Sequence, residues 1–252
     1  MQMRAETSAT SGADNATHLH WLSRCEASLT RDGYGYLLRT DTAQTIGALS
    51  AFDGLPIDTQ SGSCRVPASH SLVDLLLRQS GVAAFLIGTV GAGVRAVRAI
   101  AFDKTGKSNW FVPWHQDRTI AVQCRDDRAD VINWTVKNGN PHCEPPIARL
   151  ESMMTLRWHL DPVRDSDGPL KVLPTTHRRG RMEQAAIHAL AQTSDPVALT
   201  AERGDIVAMR PLLVHASSRR TSGGRRRIVH VEFAAGDPPR PLQWAQHSTM
   251  TA

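Results

Sequence analysis

The chain has 252 residues, which is enough for one large domain or two small domains with a buried core. Hydrophobic residues make up 41% of it and charged residues 21%, and the net charge is +5. These proportions are typical of soluble globular proteins. No apolar run approaches the roughly 20 residues of a transmembrane helix, and the first 20 residues lack the apolar segment of a secretory signal. We therefore expect a globular protein with no membrane partner.

The cysteines and the basic residues bear on location and partners. Cys25, Cys64, Cys124 and Cys143 are scattered and form no Cys-x-x-Cys pair. This pattern disfavours a disulfide scaffold or a zinc ribbon and is typical of the reducing cytoplasm. Only four of the 29 basic residues are lysines, so the basic excess is almost entirely arginine.

The first third of the chain predicts helices. We expect a disordered tail over residues 1–15 and a single domain over 16–252. Apolar residues recur at helical spacing in three stretches, which we predict as helices. They are 15–31, ended by Gly33 and Gly35; 40–52, with Thr40 and Asp41 as caps; and 69–79, stopped by Gly81.

After residue 82 the pattern changes to short apolar or alternating runs separated by Gly, Pro and Asp. These runs have the length of strands. They are 83–90, 94–102, 109–115, 119–124, 153–160, 169–173, 205–215 and 227–234. One helical stretch, 181–192, interrupts them. The chain is therefore predicted to be mainly β with flanking helices, and its strands to close into a sandwich or barrel such as a jelly roll.

A candidate metal site lies at the ends of two predicted strands. His115 and Asp117 are separated by one residue, so their side chains point to the same face of a strand. His215 ends a later strand. Two histidines and one carboxylate form the facial triad of non-haem Fe(II) oxygenases. An isolated His-x-Asp pair is a weak signal, and a structural role for His215 is the alternative.

An arginine strand strengthens this hypothesis. An oxygenase that uses 2-oxoglutarate must hold the distal carboxylate, and a guanidinium does so with two parallel hydrogen bonds. Arg226 follows His215 by eleven residues, and Ser217 lies on the same side as His215. Alternation along 225–234 leaves Arg226 and Arg227 on opposite faces. The residues alone do not decide which of them points to the site.

Four blocks of sequence resemble the phytanoyl-CoA dioxygenase family, and the resemblance extends from about residue 30 to residue 244. The blocks are FDKTGKSNWFVPWHQDRTIAV (102–122), ESMMTLRWHLDPVRDSDGPLKVLPTTHRRG (151–180), RGDIVAMRPLLVHASS (203–218) and RRRIVHVEFA (225–234). One departure is Thr175, where the family usually has glycine. That difference concerns a turn, because glycine there often means a positive φ.

The resemblance implies a double-stranded β-helix, which is a cupin-like jelly roll, and an oxygenase that uses Fe(II), 2-oxoglutarate and O2. It matches His115, Asp117 and His215 to the iron ligands. The family spacing selects Arg226 to anchor 2-oxoglutarate, assisted by Ser217. Trp134 lies where some members place an aromatic residue beside 2-oxoglutarate.

The implied reaction is oxidation, most simply hydroxylation, of an unactivated carbon in a small molecule of specialised metabolism. Related halogenases replace the ligand carboxylate with a small residue, so Asp117 favours hydroxylation, desaturation or ring formation over halogenation. A non-catalytic jelly-roll protein that binds a metal or a ligand is the alternative from another class.

The sequence identifies substrate-binding residues less specifically than it identifies the metal ligands. Alternation along 153–161 places Thr155 and Arg157 on the polar face of a strand, which we expect to point into the barrel. A buried pairing of Arg157 with Asp161 or Glu232 is the structural alternative. Gln116 is a further candidate because it lies between two ligands, and Asn109 because it lies six residues before His115.

The run RRTSGGRRR (219–227) is strongly basic. Nucleic-acid binding would need interleaved aromatic residues, and the run has none. We expect a solvated hairpin loop, with the rim of an anionic-substrate site as the alternative. The predicted partner is a small molecule and not nucleic acid; the substrate and the oligomeric state cannot be read from these residues.

Overall fold

The computed structural model describes residues 10–37, 42–137 and 139–245. Its helices are α1 (Thr10–Asp32), α2 (Thr42–Asp53), α3 (Ser71–Leu77), α4 (Val82–Val90), α5 (Ile147–Glu151) and α6 (Gln184–Thr193). Its strands are β1 (Tyr34–Leu37), β2 (Ser63–Val66), β3 (Val94–Lys104), β4 (Val112–His115), β5 (Ile120–Ala121), β6 (Ile132–Lys137), β7 (Asn140–Glu144), β8 (Met154–His159), β9 (Leu170–Val172), β10 (Val197–Leu199), β11 (Ile206–Met209), β12 (His215–Ser217) and β13 (Arg226–Ala235).

The strands form two principal sheets and a small third one. The larger sheet has the order β1-β11-β8-β13-β3-β2, and the smaller has the order β10-β9-β12-β4. All pairings are antiparallel. The third sheet, β5-β7-β6, lies beside them. The predicted double-stranded β-helix with flanking helices is thus confirmed.

The main core lies on the outer face of the larger sheet. Alternate residues of β8 and β13, including Leu156, Trp158 and Val231, are fully buried against apolar side chains of the helices such as Phe52 and Phe85. The helices α1 to α4 therefore cover this face. A smaller cluster joins α6 to the minor sheet.

The opposite face of the larger sheet is polar and points to the minor sheet. Arg157, Arg226, His230 and Glu232 are all buried there. A cavity of about 200 Å³ lies between the two sheets. The apolar stripe of β13 packs under the helices, so of the two adjacent arginines it is Arg226 that lines the cavity.

Several predicted boundaries change. Helix α1 begins at Thr10, inside the predicted tail, whose residues 1–9 lie outside the described residues. The proposed caps of the second helix, Thr40 and Asp41, also lie outside them. Gly33 follows α1 with φ +86, whereas Gly35 lies within β1 and ends no helix.

The largest error concerns 83–90, predicted as a strand. It is the helix α4, with Val82, Phe85 and Leu86 buried. A short apolar run satisfies either structure, and here packing against the sheet decides. Gly81 both follows α3 and starts α4, in a left-handed conformation that glycine adopts readily.

Thr175 adopts φ +69, so the turn keeps the backbone shape that a glycine would have. A β-branched residue is strained in this region. Its neighbour Thr176 stabilises the turn, because its hydroxyl donates to the carbonyl of Leu173 (2.7 Å) and accepts from the amide of Val214 (2.9 Å).

Within the described ranges, no single helix is long and apolar enough to cross a membrane. The helices α3 and α4 reach that threshold only as a pair, and they are bent by 84° relative to each other.

Candidate metal centre

Three side chains converge at the end of the minor sheet. His115 on β4 and His215 on β12 are direct partners in the strand register, and their rings lie 4.2 Å apart. Asp117 follows β4, and its oxygens lie 3.8 Å from His115 Nε2 and 3.7 Å from His215 Nε2. The three ligand atoms lie within 4.8 Å of one another, and this set of donors suits Fe(II).

Backbone contacts fix the imidazoles in the orientation that metal binding needs. His115 Nδ1 lies 2.8 Å from the carbonyl of Pro113, and His215 Nδ1 lies 2.8 Å from the carbonyl of Leu213. Each Nδ1 therefore carries the proton and donates it, which leaves Nε2 as a free ligand. Burial lowers the pKa of His215 to about 4, so its ring is neutral near pH 7.

Asp117 remains a carboxylate despite its surroundings. Burial opposes its ionisation, but His215 and His115 stabilise the charged form and hold its pKa well below the usual range. The centre thus offers two imidazole nitrogens and one carboxylate.

Arg226 lines the same cavity and has unused hydrogen-bonding capacity. Its Nη1 donates to the carbonyl of Gly168, while its Nε is buried without a partner among the residues described. Gly168 has φ +62, and a Cβ there would collide with the carbonyl of Ser218, so the backbone approaches too closely for any other residue. The guanidinium is held in place and keeps donors for a ligand.

Lys104 joins this group, although sequence reasoning did not identify it. It is completely buried, and it lies opposite Arg226 in the register of β3 and β13. Its amine donates to Ser217 Oγ (3.3 Å) and to the carbonyl of Ser218 (2.8 Å). Ser217 in turn donates to the carbonyl of Gly168 (3.1 Å). Period-2 alternation along 94–104 is the signal that places Lys104 on the inner face.

These cations have too few anions beside them. Burial and then the neighbouring cations lower the pKa of Arg226 to about 9 and that of Lys104 to about 7. The nearby carboxylate of Asp167 is already paired with Arg220 (2.9 Å). A bound dianion would balance this excess charge, so these residues fit 2-oxoglutarate.

Arg157 forms another wall of the cavity. Its Nη1 lies 2.9 Å from His230 Nδ1, and its guanidinium lies 5.9 Å from the centre of the Phe102 ring. Its partners are thus neither Asp161 nor Glu232, the two carboxylates with which a purely structural role would pair it. Arg227 pairs with Asp161 instead, at 2.9 Å.

The structure corrects two predicted substrate contacts near the metal. The amide of Gln116 is used entirely by the backbone: it donates to the carbonyls of Gly180 and Leu212 and accepts from the amide of Met182. As the residue between two ligands it points away from the cavity. Asn109 is bound in the same way to the backbone of Arg220, at 2.7 Å and 3.0 Å, and joins two loops.

Two further expectations are also corrected. Thr155 lies on the polar face of β8 but is buried opposite Glu232 in the register, away from the cavity lining. Trp134 lies on β6, where it packs against the cluster of Val122 and Ile120 and is covered by Arg125. The position of β6 outside the two principal sheets keeps this ring from the cavity.

The basic run 219–227 is largely exposed, as expected of a solvated loop, but several of its arginines are paired within the molecule. Arg220 is buried and donates to the carbonyl of Lys104 (3.0 Å), and Arg225 forms ion pairs with Asp103 (2.8 Å) and Asp53 (2.7 Å). Most of this positive charge is neutralised within the molecule.

The fold and the converging triad define a class, the jelly-roll proteins with a non-haem metal centre. A family model described as phytanoyl-CoA dioxygenase matches residues 70–228, and the chain belongs to this family. It is accordingly a non-haem iron, 2-oxoglutarate-dependent dioxygenase. No curated protein matches the sequence.

Solved structures share the fold at low identity. The apo form of EctD from S. alaskensis is 18% identical, with a TM-score of 0.63 over 88% of this chain and 84% of that chain. The carbocyclase SnoK from nogalamycin biosynthesis is also 18% identical, with a TM-score of 0.63 over 90% and 93%. HygX from Streptomyces hygroscopicus, solved with nickel, 2-oxoglutarate and hygromycin B bound, is 13% identical, with a TM-score of 0.61 over 89% and 96%.

Proposed function

We propose that the protein binds Fe(II) through His115, Asp117 and His215, binds 2-oxoglutarate through Arg226, and oxidises an unactivated carbon of a small molecule. The observation that carries this proposal is the convergence of the three ligand atoms within 4.8 Å, in the cavity that Arg226 also lines.

The two principal sheets supply different parts of the proposed site. The minor sheet carries the ligands, whose imidazoles are oriented by the carbonyls of Pro113 and Leu213. The larger sheet supplies Arg226, and Lys104 and Ser217 extend the hydrogen-bonding surface beside it. When bound, Fe(II), 2-oxoglutarate and O2 together supply an oxidant strong enough to remove hydrogen from carbon.

The protein orients the target carbon and excludes water. Phe102, Trp110, Val112 and Leu170 form apolar walls of the cavity, and His230 and Arg157 form a polar one. Such a mixed lining is typical of small-molecule sites. A small-molecule substrate in specialised metabolism is consistent with the neighbours, one of which was solved with hygromycin B bound.

Hydroxylation is the outcome that we favour, because Asp117 occupies the ligand position that related halogenases leave open. The similar structures include a carbocyclase and an epimerase. Ring formation, desaturation or epimerisation with the same cofactors is therefore the second candidate. Because the four cysteines form no disulfide, we also propose a reducing, cytoplasmic location.

An anaerobic titration tests the proposal. Adding Fe(II) and 2-oxoglutarate to the protein should produce the visible charge-transfer band of the metal–keto acid chelate. The variant His115→Ala should lose the band. His188→Ala is the matched control, because His188 is exposed on α6 and contacts Gln184. A wild-type protein without the band, or an unchanged band in His115→Ala, would refute the proposal. A non-catalytic binding protein would form the band but release no succinate with any substrate.

A further inference from the structure

A second, smaller cavity adjoins the metal-centre cavity. It has a volume of about 120 Å³, lies between β2, β3, β6 and β7, and shares Arg98 and Phe102 with its neighbour. Arg65, Lys137 and His142 complete its polar lining. Arg98 therefore lines both cavities.

The cations of this cavity exceed its anions. Arg98 lies 3.2 Å from Glu232, a carboxylate that His230 Nε2 also approaches at 3.5 Å. The carboxylate of Asp117 belongs to the proposed metal centre and is not counted among the anions of this cavity. The amine of Lys137, at the rim, donates to Thr119 Oγ1 (3.0 Å). For Arg65 the structure records no carboxylate partner within the described residues.

Buried donors point to a missing acceptor. Arg65 Nη2 donates to His142 Nε2 (3.0 Å) and to the carbonyl of Lys137 (3.3 Å), but its Nε and Nη1 are buried without a partner in the part of the chain that the structure describes. The same is true of Arg98 Nε. Buried N–H groups without an acceptor are costly and rare in folded proteins.

His142 does not add to the charge. Burial lowers its pKa to about 4, and its Nδ1 lies 2.9 Å from the carbonyl of Asn140. The neutral ring therefore accepts from Arg65 through Nε2 and fixes that guanidinium. Burial and then Arg98 lower the pKa of Arg65, as expected for two close cations without enough anions.

This cavity is separate from the 2-oxoglutarate site. On β3, Lys104 lies opposite Arg226, whereas Arg98 lies opposite Glu232. Six residues of a strand span about 20 Å. The inner face of the larger sheet thus carries two separate cationic groups, and the metal-centre cavity is lined by Arg98 of one and Arg226 of the other.

We infer that the substrate carries an anionic group, a carboxylate or a tetrahedral oxyanion, which Arg65 and Arg98 bind with Lys137 at the rim. The inference rests on the proposed function, since the reacting carbon must lie between this group and the metal. The planar fork of a guanidinium matches both kinds of oxyanion and holds them in one orientation.

The test measures anion binding directly. The protein is loaded anaerobically with Fe(II) and saturating 2-oxoglutarate, so that Arg226 is occupied. Its melting temperature is then followed while sodium sulfate or sodium acetate is added, against sodium chloride at equal ionic strength. Sulfate stabilises proteins generally without saturation, so the quantity compared is the saturable part of the response. The anion with the larger response distinguishes a tetrahedral group from a carboxylate.

Arg65→Gln should weaken the apparent affinity for the anion at least tenfold. The matched control is Arg95→Gln, because Arg95 lies on β3 but pairs outside the cavity with Asp237 (2.8 Å). Lys137→Gln, at the rim, gives a second reading if Arg65→Gln does not fold. A wild-type response without a saturable part, or equal responses in Arg65→Gln and Arg95→Gln, would overturn the inference.

The visible band separates the two hypotheses. A protein that forms the band but shows no saturable anion binding contradicts only the anionic subsite. A protein that binds the anion but forms no band contradicts the 2-oxoglutarate chemistry and leaves the anion site standing.

Discussion

Adjacent arginines on one strand have opposite roles. Arg226 points between the sheets, and its Nε has no partner among the residues that the structure describes, whereas Arg227 points outward to Asp161 and Asp53. Hydrogen bonds to charged groups contribute about 1.5–3 kcal/mol each. Arg226→Gln should therefore weaken 2-oxoglutarate binding about 10- to 100-fold, measured by anaerobic titration of the visible band.

Arg227→Gln is the control for that experiment. It breaks an ion pair on the outer face and should lower the free energy of unfolding, with 2-oxoglutarate affinity within about twofold of wild type. If Arg227→Gln impaired binding as strongly as Arg226→Gln, the assignment of the anchor would be wrong.

Lys104 should make 2-oxoglutarate binding depend on pH. Burial and neighbouring cations lower its pKa to about 7, and a dianion beside it favours the protonated amine. The affinity of wild type for 2-oxoglutarate should fall as the pH rises through about 7. The affinity of Lys104→Met should depend less on pH, so the difference from wild type should be largest at low pH. Titrations from one unit below to one unit above this pKa check this. Lys107→Met, an exposed neighbour, should keep the wild-type profile.

The same amine has the opposite effect on stability without 2-oxoglutarate. In the unfolded chain a lysine keeps its proton up to about pH 10.4. Between the folded and unfolded pKa values the unfolded state binds more protons, so stability rises with pH. The free energy of unfolding of wild type should therefore increase relative to Lys104→Met between about pH 7 and pH 10, as urea unfolding at several pH values would show. A constant difference would contradict the assigned pKa.

Residue spacing predicted part of the site for a physical reason. The period of two on a strand places His115 with Asp117 and Arg157 on an inner face without any tertiary knowledge. It does not say which inward residue reaches the cavity: Arg157 does, whereas Thr155 on the same face is buried opposite Glu232. The same period places Arg98 and Lys104 on one face of β3, but the sequence does not show that β3 pairs with β13, and only that pairing brings them to the site.

The helices stabilise the site by covering the outer face of the larger sheet. In α4, Phe85 is 1% exposed and packs in the main core, whereas Ile87 is 54% exposed. Phe85→Ala should destabilise the protein by about 3–5 kcal/mol through lost contacts and a cavity. Ile87→Ala, on the same helix, should cost less than about 0.5 kcal/mol. Urea unfolding measures both.

The predicted effect is on stability and not on the metal centre. Below the denaturation midpoint, Phe85→Ala should bind Fe(II) and 2-oxoglutarate with unchanged affinity, since the core and the site lie on opposite faces. A loss of binding in the folded variant would show that the two faces are coupled.

Helices and strands could be predicted where the hydrophobic pattern and the length of the segment indicated the same structure. The helix near 184 and the strands β3, β8 and β13 have clear periods and were expected. The misassigned α4 is an apolar run of nine residues whose sequence satisfies a buried strand equally well. The strands β1, β2, β6 and β7 were missed because they are four to six residues long and carry polar, glycine or proline residues. The strands β1 and β2 form through pairing with the distant strands β11 and β3, which local sequence does not encode, whereas β6 and β7 pair with each other across a short turn.

At the scale of the molecule, part of the arginine excess is internal, since Arg157, Arg220 and Arg226 are buried. Arg220, Arg225 and Arg227 are neutralised by carboxylates, while Arg226 and Arg65 face cavities. The basic character of the run 219–227 thus reflects internal ion pairs and a polar interior between the two sheets. The unbalanced part of this charge makes the empty protein less stable than the same protein with anions bound.

Cofactor binding should therefore stabilise the whole fold. The proposed ligands His115 and His215 belong to the minor sheet and the proposed anchor Arg226 to the larger one, so a bound metal–keto acid chelate would join the two sheets. Ligand at 100 times its Kd adds about 2.7 kcal/mol, and each kcal/mol raises the melting temperature by about 2–4 °C for a domain of this size. Redox-inert Mn(II) with 2-oxoglutarate should thus raise Tm by about 5–10 °C.

The increase with both ligands should exceed the sum of the increases with either alone, because each completes the binding site of the other. Asp117→Ala should abolish this excess, since the metal loses its only carboxylate. His188→Ala, on the exposed face of α6, should retain it. Additive shifts in wild type would mean that metal and 2-oxoglutarate bind independently, and the two sheets would then not be joined through a shared chelate.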